Sequence, residues 1–295
     1  MQENLTQTKR AVALGFFDGL HLAHRQVLEA ARRAAGFTPA ALLFDRSPQE
    51  VLTGAPAQRI MTAADQRAAL REMGFEILEA SFAALRDLSP ETFVEEYLVR
   101  TLRAGFVTCG FNYTFGKGGA GDAALLQTLC ARAGLGVTVL PAVMMDGGAV
   151  SSSAIRAAIR AGEIERANAM CGAPFSFAAP VIHGERRGRL LGAPTANQLL
   201  PKELVVPASG VYVSDVTLPD GRTLRGVTNI GFRPTFEGDG VRSETFLPGF
   251  SDDLYGRELR VSLLRFLREE RRFPTADALR EQIARDAEDA LRAEI

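Results

Sequence analysis

Between residues 11 and 161, short apolar runs alternate with stretches of helical spacing, and that alternation admits few folds. Residues 11–15, 40–44, 75–78, 105–109 and 136–141 are each short enough for a buried strand. Residues 22–35, 62–73, 89–103, 122–133 and 151–161 carry helix signals between them. Ser89-Pro90-Glu91 opens one helix with a cap, a proline in the first turn and an acid. Asp45-Arg46-Ser47-Pro48 reads as a turn. Strand and helix in turn predict a parallel sheet with helices on both faces, a Rossmann-like α/β domain.

After about Cys171 the texture changes. Residues 210–216, 224–229, 243–250 and 259–266 read as short strands, with a hairpin turn at Pro219-Asp220-Gly221. Only residues 275–292 return to helical spacing. An antiparallel β-barrel with a terminal helix is the economical fold for this half. A length of 295 residues suits two domains, expected at 1–168 and 169–295.

Composition narrows the function classes. With 34 basic and 35 acidic residues there is no basic excess of the kind that marks a nucleic-acid binder. Cys109, Cys130 and Cys171 are odd in number and form no CxxC pair, which fits a reducing compartment. Residues 1–10 are polar, without a signal-peptide core, and no apolar run approaches the ~20 residues that span a bilayer. A soluble, cytoplasmic protein with no membrane partner is expected; oligomeric state is left open.

The first candidate site is Gly15-Phe16-Phe17-Asp18-Gly19-Leu20-His21-Leu22-Ala23-His24, where a strand gives way to a helix. His21 and His24 are three apart, so both can reach one phosphate, and a helix N-terminus adds N–H donors and partial positive charge. Gly15 and Gly19 allow close backbone approach. Two histidines at this spacing also fit a helix cap or, with further ligands, zinc, but no cysteine pair or third histidine lies near. The whole string resembles the GxFDGxHxGH signature of α/β nucleotidyltransferases, kin to the HIGH signature of aminoacyl-tRNA synthetases. Ser151-Ser152-Ser153-Ala154-Ile155-Arg156 resembles that family's SSTxIR segment, which implies that Ser152, Ser153 and Arg156 bind nucleotide phosphates. The loop from Gly110 to Lys117, with Asn112 and the following Gly121-Asp122, looks like the glycine-rich aromatic loop that FAD synthetases place at flavin and nucleotide.

The second candidate site runs from His183 to Asn197, HGERRGRLLGAPTAN. Its glycines and arginines suit a phosphate cradle, and Thr195 and Asn197 offer neutral oxygens to a magnesium shell completed by phosphate and water. The string resembles the riboflavin kinase signature hGxxRGRxLGxPTAN. The likeness continues through Gly210-Val211-Tyr212, Asn229-Ile230-Gly231, Arg233-Pro234-Thr235-Phe236, Asp253-Leu254-Tyr255-Gly256, Arg268 to Phe273, and Gln282-Ile283 with Asp286. Both halves together, in this order, resemble the bifunctional riboflavin kinase/FMN adenylyltransferases, the prokaryotic FAD synthetase type.

That resemblance implies phosphorylation of riboflavin to FMN, then adenylylation of FMN to FAD, with ATP and Mg2+ in use and flavins as substrates and products. It implies His21, His24 and Glu244 as catalytic residues. It also implies Gly15, Phe17, Asp18, Gly19, Asn112, Ser152, Ser153 and Arg156 at the adenylyltransferase nucleotide. Gly184, Arg187, Gly188, Arg189, Gly192 and Pro194 are implied at the kinase nucleotide, with Thr195 and Asn197 at the metal. Strand parity independently puts Glu244 on one face with Phe246 and Phe250, an apolar setting for a base. The chain departs from the family pattern at Ala23, where glycine is usual, and at Phe44-Asp45-Arg46-Ser47-Pro48, where a histidine is absent. It departs again at Asn112, often aspartate, and at Ala179-Pro180. The alternatives are a kinase with a silent N-terminal domain, a nucleotidyltransferase for another cofactor, and a flavin-binding regulator.

Overall fold

The computed structural model describes residues 8–56, 58–184, 194–233 and 240–294. Contacts divide the chain into two units, Met1–Ala57 with Ala63–Ser151, and Gln58–Thr62 with Ser152–Ile295.

The first unit follows β1 (Arg10–Leu14), α1 (Leu22–Arg32), β2 (Thr38–Phe44), α2 (Pro48–Thr53), α3 (Ala63–Glu72), β3 (Glu76–Ala80), α4 (Phe82–Leu85), α5 (Pro90–Thr92), β4 (Ala104–Gly110), α6 (Ala123–Arg132) and β5 (Gly136–Leu140). A small hairpin of β6 (Met144–Met145) and β7 (Gly148–Ala149) closes it. The strands pair in parallel in the order β3-β2-β1-β4-β5. Residues 11–14 are fully buried because helices cover both faces. Val12 and Leu14 pack with Phe93, Leu98 and Leu126, while α1 packs on the other face, where Thr108 Oγ1 donates to the Val27 carbonyl at 3.0 Å. The chain leaves β1 toward β2 and β3 and returns to β4 on the other side. The C-terminal end of β1 is therefore the switch point at which open α/β sheets bind ligands.

Local chemistry moved several expected boundaries. Helix α1 stops at Arg32, three residues before the expected end. The turn expected at residues 45–48 is present at Asp45 and Arg46 and leads directly into α2, because Ser47 caps Glu50 N and Pro48 fills the first turn. After α5 the chain winds as a π-helix over Phe93–Thr101, closed by Leu102 N to Tyr97 O at 2.8 Å.

The second unit contains α7 (Ser152–Ala161), α8 (Ile164–Cys171), β8 (Phe175–Pro180), β9 (Thr195–Leu199), β10 (Gly210–Thr217), β11 (Thr223–Arg233), β12 (Gly240–Phe246), β13 (Glu258–Arg268) and α9 (Ala276–Arg292). Six antiparallel strands run in the order β8-β13-β10-β11-β12-β9. The sheet curls until its two edges meet. Ile182 N donates to Asn197 O at 2.8 Å, and buried Gln198 Nε2 donates to Ala179 O and Leu259 O at 2.6 and 2.9 Å. Phe177, Tyr212, Val261 and Leu263 fill the concave interior. A buried hydroxyl chain, Ser214–Thr228–Thr245, crosses it at 2.7 and 2.9 Å. Ala287 and Ala290 of α9 pack against Val211, Val213, Val227 and Leu264 on the convex face. Arg268 and the buried Asp286 pin that helix at 2.7 Å. Residues 58–62 join this unit through Arg59, whose N and O pair with Glu203 O and Val205 N at 2.6 and 2.7 Å.

Candidate active sites

Beyond β1 the backbone enters a strained turn. Phe17, Gly19 and Leu20 have φ of 54°, 79° and 43°, the left-handed region, in which a bulky residue costs roughly 1–3 kcal/mol. Packing and side-chain clamps hold the turn there. The Phe17 ring is fully buried and lies 3.1 Å from where a Cβ on Gly15 would stand, so only glycine fits comfortably at 15. Gln66 of α3 donates to the Phe16 carbonyl at 2.7 Å, and Arg25 Nε to the Leu20 carbonyl at 3.0 Å. Buried Asp18 opens the short 3₁₀ turn between these clamps.

The two histidines follow at once. His21 is the N-cap of α1, and its Nδ1 accepts from His24 N at 3.3 Å. With Nδ1 an acceptor, the neutral ring carries its proton on Nε2 and can donate it. The two rings stack with centroids 3.5 Å apart, and His24 also meets Phe17 edge-on at 5.3 Å. Burial, then the neighbouring His21, pushes His24 well below its ordinary 6.5, so its ring is neutral at pH 7. The spacing thus brings both imidazoles together at a helix N-terminus, as neutral hydrogen-bonding groups. Gln66 carries no sequence signal; it is one polar residue among several on an amphipathic helix.

The other residues that the resemblance assigns to adenylyl transfer lie apart from this turn in sequence. Asn112 is exposed on a loop anchored by mutual Phe115–Gly121 backbone bonds of 3.0 and 2.9 Å. A run of ring contacts, Tyr113–Phe115–Phe93–Tyr97, continues that anchor into the π-helix. Ser152, Ser153 and Arg156 occupy the first turns of α7, in the second unit. Ser47, where the family pattern has histidine, is buried and caps α2.

In the second unit, register makes the site. Asn197 of β9 pairs with Glu244 of β12, which pairs on its other side with Asn229 of β11. Directly paired residues share a face, so the three side chains form one row across three strands. Thr195 lies two residues before Asn197 on that face, and Asn197 Nδ2 donates to Thr195 O and Oγ1, each at 3.3 Å. Gly184 lies so close that a Cβ there would come within 2.6 Å of the Asn197 amide. Gly184, Pro194, Thr195 and Asn197 line a cavity of about 390 Å³ with Thr245 and Tyr255. Arg187, Gly188, Arg189 and Gly192 lie outside the described residues.

The expected apolar setting of Glu244 needs correction. Strand β12 ends at Phe246, and Leu247 to Phe250 form a turn, with Phe250 N bonded to Leu247 O at 3.2 Å. Phe250 therefore leaves the Glu244 face and lines the cavity instead. Glu244 is half-buried beside Asn197 and Asn229. Asn229, part of the motif but assigned no role from sequence, is the residue that parity alone missed. Thr195 and Asn197 suit a magnesium ion: their oxygens are neutral and hard, and the amide nitrogen is already engaged, which leaves Oδ1 for a ligand.

Two family models match the chain. The FAD synthetase model matches residues 3–154 and the riboflavin kinase model residues 171–293. Bifunctional riboflavin kinase/FMN adenylyltransferases are similar over nearly the whole chain. The Bacillus subtilis protein is 34% identical over 97% of this chain and 93% of its own length. The Escherichia coli K12 protein is 34% identical over 96% and 93%. The Pseudomonas fluorescens protein is 37% identical over 92% and 89%. A crystal structure from Streptococcus pneumoniae, described as a macrolide-efflux protein, has 29% identity and a TM-score of 0.87 over 98% of this chain and 95% of that one. Among the described residues no helix is long and apolar enough to cross a membrane. With both domain models matched in order and relatives aligned almost end to end, this chain belongs to the bifunctional riboflavin kinase/FMN adenylyltransferase family.

Proposed function

We propose that this protein carries out two successive steps of FAD biosynthesis in the cytoplasm, the kinase on residues 169–295 and the adenylyltransferase on residues 1–168. The observation that carries the kinase reading is the row Asn197–Glu244–Asn229, of which Asn197 lines the cavity. Glu244 takes the proton of the terminal ribityl hydroxyl as its oxygen attacks the γ-phosphorus of ATP, and ADP departs. Thr195 and Asn197 would hold a magnesium ion, which when bound neutralises charge on the ATP phosphates. Gly184, Arg187, Gly188, Arg189, Gly192 and Pro194 form the nucleotide cradle.

In the second step a phosphate oxygen of FMN attacks the α-phosphorus of another ATP, and pyrophosphate leaves. His21 and His24 donate to the oxygens on which charge develops, aided by the N-terminus of α1. Gly15, Phe17, Asp18 and Gly19 shape the turn that brings backbone N–H groups to the nucleotide. We assign Asn112, Ser152, Ser153 and Arg156 to nucleotide binding.

Purified protein incubated with riboflavin, ATP and magnesium tests both halves once the flavins are separated. FMN should appear first and FAD after it. FMN without FAD would refute the second step, and neither product would refute the enzyme. The Glu244→Gln variant should make FAD from supplied FMN yet form no FMN.

A further inference from the structure

Two buried polar atoms beside Glu244 have no hydrogen-bond partner among the described residues, and both belong to side chains on its face of the sheet. Arg242 precedes Glu244 by two residues on β12, so their side chains leave the same side of the strand. Its Nε is buried without a hydrogen-bond partner among the described residues. Asn229, directly across from Glu244, has a buried Oδ1 in the same condition. The orientation of that amide is fixed from its other end, where Nδ2 donates to Glu270 Oε1 at 2.7 Å. Glu270 in turn lies over Gly231, the β11 residue paired with Arg242, where a Cβ would come within 2.8 Å of its carboxylate. Buried polar groups are rarely left unmatched in a native state, and here one guanidinium nitrogen and one amide oxygen are.

A guanidinium only donates and an amide oxygen only accepts. A ligand that satisfies both must accept at one point and donate at another, one strand step from the carboxylate that takes the hydroxyl proton. A polyol chain does this with a single kind of group. Along β9 the metal and ATP residues, Thr195 and Asn197, pair with Phe246 and Glu244, whereas Arg242 pairs with Leu199 on the far side of the base. In-line transfer needs the acceptor on the side opposite the donor, and Arg242 is on that side.

We propose that Arg242 and Asn229 bind the ribityl chain of riboflavin, so that its terminal hydroxyl reaches Glu244. The inference rests on Glu244 as the base. Lumiflavin, which has the ring system but no ribityl chain, separates chain recognition from ring recognition. Arg242→Gln should raise the riboflavin KM about tenfold or more with kcat little changed. It should leave the inhibition constant of lumiflavin against riboflavin phosphorylation where it was. Arg242→Lys, which keeps charge and donors, should recover most of the loss, and Asn229→Ala should raise KM in the same sense. An unchanged riboflavin KM in both Arg242→Gln and Asn229→Ala overturns the proposal. So does parallel weakening of riboflavin and lumiflavin, which would make Arg242 a structural charge beside Glu244 and Glu270. The Glu244→Gln variant tests the base separately: if it still makes FMN, the base reading fails whatever Arg242 does, and if only the Arg242 and Asn229 variants are silent, the base stands.

Discussion

The two candidate sites present polar groups to phosphate by opposite uses of the backbone. In the first unit the chain is forced through three left-handed residues within four positions, and the strain is held by a buried phenylalanine and by clamps from Gln66 and Arg25. In the second unit the backbone is an ordinary antiparallel ladder, and pairing register alone aligns Asn197, Glu244 and Asn229. A strained turn depends on residues far away in sequence. A ladder depends on register and on the few places where two segments almost touch.

A double dissociation would break this comparison most decisively. Loss of a base or of a charge-stabilising donor costs roughly two to four orders of magnitude in rate. Glu244→Gln should therefore abolish FMN formation in a flavin-separation assay while adenylylation of supplied FMN continues. His24→Ala should do the reverse. Either variant losing both activities while its circular dichroism stays unchanged would mean that the two sites are not independent.

Gly184→Ala comes next, because it attacks the ladder at its tightest approach. The added methyl meets the Asn197 amide at 2.6 Å and must displace it. Displacing a positioning group by about 1 Å costs around a hundredfold, so kinase kcat should fall by that order with adenylylation intact. Gln66→Leu is the matching lesion in the turn. It removes the 2.7 Å bond that Gln66 gives the Phe16 carbonyl, a cost of about 1–3 kcal/mol. Melting of the first unit should drop and FAD formation should fall, with FMN formation unchanged.

Acid should separate the units as well. Folded His24 titrates well below 6.5, so between those two values the unfolded chain binds the extra proton. Stability falls as pH drops below about 6.5 and stops responding to this group once pH is below the folded value. Denaturant melts at pH 7.5 and 5.5 should show a larger acid loss for the unaltered protein than for His24→Asn. Equal losses would show that burial does not hold His24 neutral.

How much of this was legible in the sequence follows from the same contrast. Short continuous apolar runs and capped helices in alternation gave the parallel sheet, and the motif at its first turn gave the histidine pair, because that information lies within short segments. The row Asn197–Glu244–Asn229 needs the pairing of three strands, which no local pattern states. Parity places Phe250 beside Glu244 only if the strand runs through Pro248-Gly249, and that pair is the visible sign that β12 ends before it. Gln66 was invisible because the bond it gives the turn runs to a carbonyl 50 positions away. Ser47 and Pro48 were read as a turn, yet the same two residues are a helix start, and only the following turn of chain decides between them.

The smallest expected effect concerns Ala23, where the family pattern has glycine. Ala23 is half-buried in the first turn of α1, between the two stacked histidines in sequence. If its methyl obstructed the nucleotide, Ala23→Gly would lower the ATP KM of adenylylation. The geometry argues otherwise. His21 caps the helix through His24 N, and the ring stack is already formed with alanine in place. Glycine there would only loosen the first turn, at a cost of about 0.5–1 kcal/mol. Ala23→Gly should therefore leave the ATP KM nearly unchanged and lower the melting temperature of the first unit slightly. A clear drop in KM would show instead that the turn of this chain is less complementary to ATP than that of its relatives, and that its strain is not fully spent on binding.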